Sequence, residues 1–586
     1  MNPSRRFPVY LASSTVILLI IWTYSQLYPR SWNWSPNNRS VLQKDSTGWG
    51  DDNIAMPVDH QSNHFAYATS VCNADQVENA LVLIHSIKSS KTPYSVLAVV
   101  SDDVSPQYEG HFLSLGAVVV RVHNVDCNVA KMALWSLTSY NKIFYIDSES
   151  VMIDNFDDMF DLPTNSLLLQ NWPENIEKLI ILQPSSSTYD KLMKLSMHQQ
   201  NSTDGVLGSH LTSYNFYPIP HSGVRLVGGK QSMPQNVKLL MFDGNIKPWN
   251  WYTAHDDAWL KNWDPYSMWH WRHHRNAIQY LFNGSKGLMN SINRTETVCN
   301  QQQLTKSFPI TDKFSVLLST YNPDRIDHVT TLIRHLATSD LVHTIYLTWH
   351  NPKLEVNKEL KELQEKLRKP LVILRQQFDS LNNRFNPIEG LETSAVYILD
   401  DDIVVSMPDL EFSFQVWQNR QHSIVGHFPR FHTYSSANGQ ATYAMADAKR
   451  PTYSIVLTKS MFIRSEYLFA YTCLMDPAMH EYVDANLNCE DIGFSLMVSG
   501  LTSVTNVYVA VKSRIRDYGL SQGISTNGNH IKARRQCISN MIGTFWKGND
   551  PTRMTSEMVS AFEAAHFTRG TWDQLAKEVE SIENRT

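Results

Sequence analysis

The chain has 586 residues, of which 42% are hydrophobic and 18% are charged, and its formal net charge is -5. This length exceeds what one hydrophobic core supports and predicts two to four domains of roughly 100 to 200 residues each, two of them large. The composition excludes a disordered protein, and the slightly negative charge excludes nucleic acid as an expected partner.

The first predicted element is an apolar segment, residues 7–27, that follows Arg5 and Arg6. It carries no charged side chain and has about the 20 residues that span a bilayer. Its length and the lack of an A-x-A-like cleavage site favour a signal anchor over a cleaved signal peptide. The preceding basic residues predict a cytoplasmic tail, residues 1–6, and a luminal remainder. We therefore expect a single-pass type II protein of the secretory pathway.

Sequons and cysteines fit a luminal chain. The six cysteines show no C-x-x-C spacing, which argues against zinc and favours one or two disulfide bonds, whose pairing the spacing does not reveal. The six acceptor sequons, each weak evidence alone, are at Asn33, Asn38, Asn201, Asn283, Asn293 and Asn584.

Two α/β series follow a Pro- and Ser-rich stem, residues 28–63. The first, residues 64–255, alternates short apolar runs with helical patterns, which is typical of α/β folds. A linker is expected at residues 256–312, and the second series covers residues 313–580. Near the linker's start lies an aromatic and histidine-rich cluster whose spacing matches no standard metal site, so packing is the favoured interpretation: Trp269, His270, His273 and His274.

Each series contains a predicted apolar strand that is followed directly by acidic residues. KIFYI leads into Asp147-Ser148-Glu149, and AVYIL leads into Asp400-Asp401-Asp402. In an open α/β sheet, ligands bind beyond the carboxyl ends of the strands. Such close carboxylates repel one another, and a divalent ion with oxygen ligands would offset the charge and hold a diphosphate. Alone, the triplet could equally be a solvated turn or a structural calcium loop.

The second series contains an ordered set of motif blocks between about Phe314 and Phe545. The blocks are TYN at 320–322, WHN at 349–351, SLNNRF at 380–385, LDDD at 399–402, VGHFPRFH at 425–432, YSIVLT at 453–458, VD at 483–484, NCEDI at 488–492 and RRQC at 534–537. Such an ordered series is far more specific than one acidic triplet, and in it the chain resembles the exostosin-like glycosyltransferases, family 64. The resemblance implies a GT-A fold that binds a UDP-sugar through Mn²⁺ (or Mg²⁺) and transfers the sugar with retention of configuration.

It also implies a division of roles. Asp402 would be the direct metal ligand, while Asp400 and Asp401 would orient the ion and the ribose. A bound cation and basic groups would stabilise the charge that develops on the diphosphate leaving group.

Residues of other motif blocks are expected to bind the donor. Arg384 and Arg534 would grip phosphate oxygens, Asn351 would contribute from WHN, and Arg325 would be a third basic residue, although it aligns only with a shift. Relatives often carry Asn where this chain has Asp379, which bears on the choice of nucleotide.

NCEDI supplies the catalytic acid, Asp491. It would position the acceptor hydroxyl or stabilise the oxocarbenium-like sugar, and a covalent intermediate stays open. The same residues also suit a helix N-terminus. In the family the cysteine of this motif pairs with the one of RRQC, which implies a Cys489–Cys537 disulfide.

Four motifs occur in order in the first series: WSLTSYNKIFYIDSE at 135–149, DNFDDMFD at 154–161, LQPSSSTYDKL at 182–192 and KPWN at 247–250. In these motifs the first series resembles the glycogenin-like transferases, family 8, from about Phe65 to Trp251. Its D-x-D motif ends in Glu149, Met241 stands where a metal-binding histidine is expected, and residues 203–208 replace D-G-G-D-Q-G by TDGVLG. Thioether sulfur suits neither Mn²⁺ nor Mg²⁺. We therefore expect a GT-A unit that no longer transfers sugar, although Lys247 could still hold an anion.

These resemblances predict two GT-A domains in tandem behind a transmembrane helix, in the Golgi or endoplasmic reticulum membrane with the catalytic domains luminal. The expected activity is transfer of an N-acetylhexosamine or hexose from a UDP-sugar to a glycan or glycolipid. A hexosyltransferase using GDP-mannose or UDP-glucose is the alternative within enzymes, and an inert glycan-binding or transferase-stabilising subunit is the alternative of another class. Donor sugar, acceptor and homo- or hetero-oligomeric state are not readable from the sequence.

Overall fold

The computed structural model describes residues 64–123, 127–164, 166–167, 178–198, 217–218, 224–227, 236–243, 247–252, 264–282, 285–299, 307–436, 438–445, 452–519, 530–560 and 571–584. The predicted tail, anchor and stem, residues 1–63, lie outside these ranges and stay predictions. The loss of the catalytic block at residues 203–208 also lies outside them and stays a prediction. In the described part of the chain, no helix is both long enough and apolar enough to cross a membrane.

The N-terminal half alternates strands and helices, as the sequence predicts. Its elements are β1 (Phe65–Val71), α1 (Ala74–Ser89), β2 (Ser95–Val100), α2 (Glu109–Ser114), β3 (Val118–Arg121), α3 (Cys127–Ala130), β4 (Lys142–Ile146), β5 (Ser150–Met152), β6 (Ser166–Leu167), β7 (Leu179–Leu182), α4 (Ser186–His198), β8 (Tyr217–Pro218), β9 (Val224–Val227) and β10 (Leu239–Phe242), with 3-10 turns at Pro106–Tyr108, Lys131–Ser136 and Asp157–Asp161.

Seven of these strands form one sheet in the order β3-β2-β1-β4-β7-β6-β8, and β5-β10-β9 form a smaller one. Strands β1 to β4 run parallel, and β7 is antiparallel to β4. Tyr67 and Val71 pack into one core, whereas Ala66 and Ala68 pack into another. Because both faces are covered, the strands are continuously apolar rather than alternating.

Two helices fill the described part of the expected linker, α5 (Pro265–Phe282) and α6 (Lys286–Val298). The linker expected at residues 256–312 therefore contains helices, while its bounds stay a prediction. Helix α6 is polar on average, yet Leu288, Ile292 and Thr295 recur on one face and are buried. Trp251 and Tyr252, before the expected boundary, belong to the core of the following sheet.

The C-terminal half again alternates strands and helices. Its elements are β11 (Ile310–Thr320), α7 (Ile326–Ala337), β12 (Val342–Trp349), α8 (Lys358–Lys366), β13 (Leu371–Arg375), β14 (Thr393–Asp400), β15 (Ile403–Val404), α9 (Met407–Gln418), β16 (Val425–Gly426), β17 (Pro429–Tyr434), β18 (Ala441–Met445), β19 (Ile455–Val456), β20 (Ser460–Arg464), α10 (Glu466–Phe469), α11 (Pro477–Asn486), α12 (Glu490–Thr502), β21 (Val507–Ala510), β22 (Arg516–Asp517), α13 (His530–Phe545), β23 (Met558–Ser560) and α14 (Trp572–Glu583), with 3-10 turns at Pro323–Arg325 and Leu381–Phe385 and a π-helical turn at Ala470–Leu474.

In the described residues of this half, the main sheet has eight strands in the order β13-β12-β11-β14-β20-β16-β21-β23. Strands β13, β12, β11 and β14 are parallel, and β20 is antiparallel to β14. Small sheets β15-β22 and β18-β17-β19 flank it. The mixed α/β fold class is confirmed.

Two disulfide bonds are described in this half. Cys489–Cys537 confirms the pairing implied by the family resemblance, and Cys299–Cys473 joins the end of α6 to the π-helical turn. Disulfides persist in oxidising compartments, which agrees with a luminal chain.

Helix α12 packs against residues before the linker through a glycine. A Cβ at Gly500 would lie 2.0 Å from the carbonyl oxygen of Tyr252, which accepts a hydrogen bond from Trp546 Nε1 at 3.0 Å. We expect Gly500→Ala to lower the free energy of unfolding by about 1–3 kcal/mol, because the backbone must shift. Chemical denaturation checks this.

Gly543→Ala, on α13, is the matched control. A Cβ at this position would have no atom of the described residues within 4 Å. Alanine has the higher helix propensity, so stability should be unchanged or rise by up to about 1 kcal/mol. Equal losses of unfolding free energy in the two variants would show that the close approach at Gly500 does not cause the loss.

Candidate active site

The acidic triplet lies where a central strand of the second sheet ends. Asp400 is the last residue of β14 and is in register with Ser319 of β11. The next two aspartates form the turn to β15, where the carbonyl of Asp402 accepts a hydrogen bond from Tyr518 N at 2.9 Å. Parallel strands β11, β12 and β14 bring their carboxyl ends to one edge. The triplet therefore lies beside the TYN and WHN blocks.

Two of the three carboxylates, those of Asp400 and Asp401, have an arginine within 3.0 Å. Arg384 Nη1 donates to Asp400 Oδ1 at 3.0 Å. Asp401 accepts hydrogen bonds from Thr320 Oγ1 and Arg325 Nη1, each at 2.7 Å. Arg325, which aligns with the family only after a shift, thus reaches the triplet directly.

The third carboxylate, that of Asp402, is buried, and its Oδ1 has no hydrogen-bond partner among the described residues. Its Oδ2 lies 3.3 Å from Arg325 Nη1. Burial, followed by the charge of Asp400, raises the pKa of Asp402 to about 7. Buried polar atoms normally have partners, and a carboxylate oxygen without a donor suits a hard divalent cation.

A cation at Asp402 would find few other side-chain ligands. Within the described residues, no group of three or more His, Cys, Asp or Glu could hold a metal ion. Asp400 and Asp401 are engaged by arginines. Mn²⁺ or Mg²⁺ would therefore fit as an ion with one carboxylate ligand that completes its shell from water and a bound diphosphate.

The NCEDI motif forms the start of α12. Cys489 adopts φ 79°, in the left-handed region that is costly for a non-glycine residue, and its disulfide to Cys537 ties this turn to α13. One helical turn earlier on α13, Arg534 Nη2 donates to Asp491 Oδ2 at 2.7 Å. Arg534 Nη1 donates to Asn488 Oδ1 at 3.2 Å. Asp491 and Arg534 thus form a buried pair.

Electrostatics keeps Asp491 ionised. Burial by itself would raise the pKa of Asp491, but the Arg534 guanidinium outweighs it and lowers the pKa below the usual range. The guanidinium also lies over the Tyr443 ring, with Cζ 4.5 Å from the centroid. The arrangement holds a negative charge in a buried position where positive charge could develop on a substrate.

Arg384 joins the two motifs. Besides its hydrogen bond to Asp400, its Nε lies 3.7 Å from Glu490 Oε1, and Nη1 donates to Thr458 Oγ1 at 2.7 Å. Burial would lower the pKa of Arg384, but these carboxylates raise it overall. The structure therefore brings the triplet and NCEDI together through one guanidinium.

The remaining predicted residues divide between this edge and the core. Asn351 follows β12, is buried, and accepts a hydrogen bond from Lys353 N at 3.1 Å. Tyr321 is 49% exposed and donates to Asp379 Oδ2 at 3.2 Å. Trp349 and Tyr453, the aromatic residues that begin the WHN and YSIVLT blocks, are buried core residues.

Sequence reasoning missed three residues beside the triplet. Thr320 binds Asp401, and it could have been found because it begins the TYN block. Lys459 lies next to the YSIVLT block, partly offsets the charge of Asp402, and pairs with Asp517 at 3.2 Å. A Cβ at Gly519 would lie 2.3 Å from Asp402 Oδ2, so a side chain there would displace this carboxylate, and no sequence pattern indicated the glycine.

The acidic pair of the N-terminal sheet has a different environment. Glu149 forms an ion pair with Lys247 Nζ, which also donates to the Phe242 carbonyl at 2.6 Å. Asp147 accepts a hydrogen bond from the Glu149 backbone at 3.0 Å. Met241 is buried in β10. An ammonium group thus lies where a cation would contact Glu149.

The histidine-rich cluster of α5 packs against α1. His270 and His274 are buried, and His274 Nδ1 lies 2.9 Å from His85 Nδ1. Burial, followed by nearby His273, lowers the pKa of His270 to about 4. In the described part of the chain the cluster forms no metal-binding group.

Comparison with known proteins shows which family the residues carrying these motifs match. The model described as "Glycosyl transferase family 64 domain" matches residues 314–560. Glycosylinositol phosphorylceramide mannosyl transferase 1 of Arabidopsis thaliana is 33% identical over 248 residues, which cover 40% of this chain and 72% of that protein. Exostosin-like 2 of Homo sapiens is 29% identical over 263 residues, which cover 43% of this chain and 78% of that protein. The match to the solved structure of the galactosyltransferase LgtC covers 36% of this chain and 95% of the LgtC chain, at 10% identity. Its TM-score of 0.29 is too low to support an argument.

Glu490 makes stability depend on pH. Burial, opposed in part by Arg384, raises its pKa to about 7 from an ordinary value of 4.5. Its contribution to stability is fully present below the ordinary value and is lost as pH rises through the folded-state value. We therefore expect the free energy of unfolding of Glu490→Gln, minus that of wild type, to increase between about pH 5 and pH 8. Urea unfolding across this range measures it.

Glu355→Gln is the control, because Glu355 is exposed and pairs with exposed Arg375. Its difference from wild type should stay flat with pH, since surface pairs contribute about 0–1 kcal/mol. A difference for Glu490→Gln that decreases as pH rises would contradict the raised pKa.

Proposed function

The chain belongs to glycosyl transferase family 64 and is a glycosyltransferase, and we propose that it moves an N-acetylhexosamine or hexose from a UDP-sugar to a glycan or glycolipid, with retention of configuration. The observation that carries the proposal is the buried Oδ1 of Asp402 inside the acidic triplet, which has no partner among the described residues. A divalent cation bound there would neutralise charge on the diphosphate leaving group.

The exposure of the basic residues suggests how the donor binds. The Arg325 side chain is 22% exposed, against 9% for that of Arg384. Arg325 is therefore the guanidinium better placed to grip a phosphate oxygen, whereas Arg384 orients Asp400. Asn351 would contact the nucleotide from the neighbouring strand end.

Transfer breaks the bond between the anomeric carbon and the diphosphate oxygen, whose electron pair leaves with the nucleoside diphosphate. The acceptor hydroxyl oxygen forms the new bond to this carbon, and its proton passes to the departing diphosphate. Asp491, held ionised by Arg534, would stabilise the positive charge on the anomeric carbon. An interaction that strengthens as this charge develops accelerates the reaction.

The N-terminal half is proposed to be a GT-A-like unit that supports the catalytic one without transferring sugar. The Lys247–Glu149 ion pair supports this, because the ammonium already offsets the charge that a metal would offset. Its helix α1 is joined to the C-terminal half by Arg275, which pairs with Glu78 and Asp476. An anchor at residues 7–27 with both units in the Golgi lumen completes the proposal, and the two disulfides support it.

A second candidate is a hexosyltransferase that uses GDP-mannose or UDP-glucose. The name of the Arabidopsis relative, a mannosyl transferase of glycosylinositol phosphorylceramide, favours it. Asp379 is the position of this chain where the donor site departs from the family pattern, and it contacts exposed Tyr321.

Donor hydrolysis by the purified chain distinguishes these candidates. A panel of UDP- and GDP-sugars is assayed with Mn²⁺, with Mg²⁺ and with chelator. We expect one nucleotide to be released in a metal-dependent way. Asp402→Asn should abolish metal-dependent donor binding, whereas Asp491→Asn should leave binding largely intact and lower turnover by orders of magnitude.

Asp103→Asn, an exposed carboxylate of the N-terminal half, serves as the matched control and should match wild type. Equal loss of donor affinity in Asp402→Asn and Asp491→Asn would contradict the division of roles. Hydrolysis that persists in chelator would contradict a metal-dependent reaction.

A further inference from the structure

Helix α6 precedes the residues that match family 64, yet it is fastened to the site-bearing half. Ser291 Oγ donates to the Pro477 carbonyl at 2.8 Å, at the start of α11. Cys299, just beyond α6, is bonded to Cys473. A Cβ at Gly287 would lie 2.2 Å from Glu481 Oε1, so the side chain of Glu481 on α11 lies directly against α6.

Arg294 of α6 reaches the 3-10 turn at Leu381–Phe385. Its guanidinium is buried, forms an ion pair with Asp484 of α11, and donates from Nη1 to Ser380 Oγ at 2.8 Å. Ser380 Oγ donates in turn to Asp484 Oδ1 and accepts from Asn382 N at 3.1 Å. Asn382 Nδ2 donates to the same carboxylate at 2.9 Å. Arg294 and Asp484 thus fix the N-terminal end of this turn.

The other end of the turn carries Arg384, which contacts Asp400 and Glu490. Ser380 and Arg384 are four positions apart, so a displacement of the first is transmitted to the second through one short turn. Loss of Arg294 would leave Asp484 without its guanidinium and weaken its grip on Ser380.

We propose that Arg294 is a positioning residue for the donor site: through Asp484 and Ser380 it sets the 3-10 turn that presents Arg384 to the acidic triplet. The catalytic unit therefore begins before the matched residues and includes α6. This inference rests on the proposed function, since the donor site is the one proposed there.

Calorimetric titration of the full chain with UDP, and separately with GDP, in the presence of Mn²⁺ tests the proposal. We expect Arg294→Gln to weaken binding of the nucleotide about tenfold, the scale typical of residues that orient a ligand-binding group from behind. The stoichiometry should stay that of wild type. A purely structural role would instead lower the stoichiometry, through loss of folded protein, and leave Kd unchanged.

Ser380→Ala keeps the charges and removes the shared hydroxyl, so it tests the same path if Arg294→Gln folds poorly. We expect a smaller rise in Kd. In the double variant Arg294→Gln/Asp484→Asn, no carboxylate at position 484 is left without its guanidinium. Its thermal midpoint should therefore lie above that of Arg294→Gln, while its Kd for the nucleotide should stay above that of wild type. Arg420→Gln, which removes an exposed pair with Glu557, is the matched control and should bind like wild type.

The outcomes separate the two proposals. If wild type binds neither nucleotide with Mn²⁺, the proposed function fails, and this inference with it. If wild type binds and both Arg294→Gln and Ser380→Ala keep its Kd, the inference alone fails. A raised Kd in both, with the control unchanged, supports it.

Discussion

The structure depends on the burial of more carboxylate charge than the nearby arginines neutralise. In the described residues, five carboxyl groups meet three guanidinium groups at the edge of the second sheet: Asp400, Asp401, Asp402, Glu490 and Asp491 against Arg325, Arg384 and Arg534. Lys459 also helps, but it is paired with Asp517. Burial of unpaired charge is costly, and the pKa of two of the carboxyls is raised to about 7. A divalent cation would supply two positive charges.

The same constraint explains why the site is built on rigid elements. Asp400 terminates a strand that is buried on both faces, and Asp491 lies at the start of an almost fully buried helix. The disulfide from Cys489 fixes the turn at the start of α12 to α13. Charges that are held by covalent and packed structure cost no rearrangement when a substrate becomes charged.

The helices between the two sheets tie this site to the rest of the chain. Arg275 of α5 pairs with Glu78 of α1 and with Asp476, the N-cap of α11. Arg294 of α6 pairs with Asp484 near the other end of α11. Helix α11 is therefore held near both ends by ion pairs from the two helices that lie between the predicted domains.

Much of the fold and part of the site could be predicted from the sequence. Continuous apolar strands that end in acid indicated an α/β sheet with a polar edge, and ordered motifs implied the Cys489–Cys537 pair. The two linker helices could not be predicted, because α6 is polar on average and its buried face is supplied by tertiary packing. The ion pair of Lys247 with Glu149 was equally hidden, since it joins residues 98 positions apart. Contacts of this kind follow from three-dimensional proximity and leave no local pattern.

The central claim is that Asp402 carries the cation that holds the donor. Anomalous diffraction from crystals grown with Mn²⁺ and UDP tests it most directly. The account predicts a manganese peak about 2 Å from Asp402 Oδ1, bridged to the diphosphate, and none beside Glu149. A peak at Glu149, or bound UDP without manganese at Asp402, would contradict it.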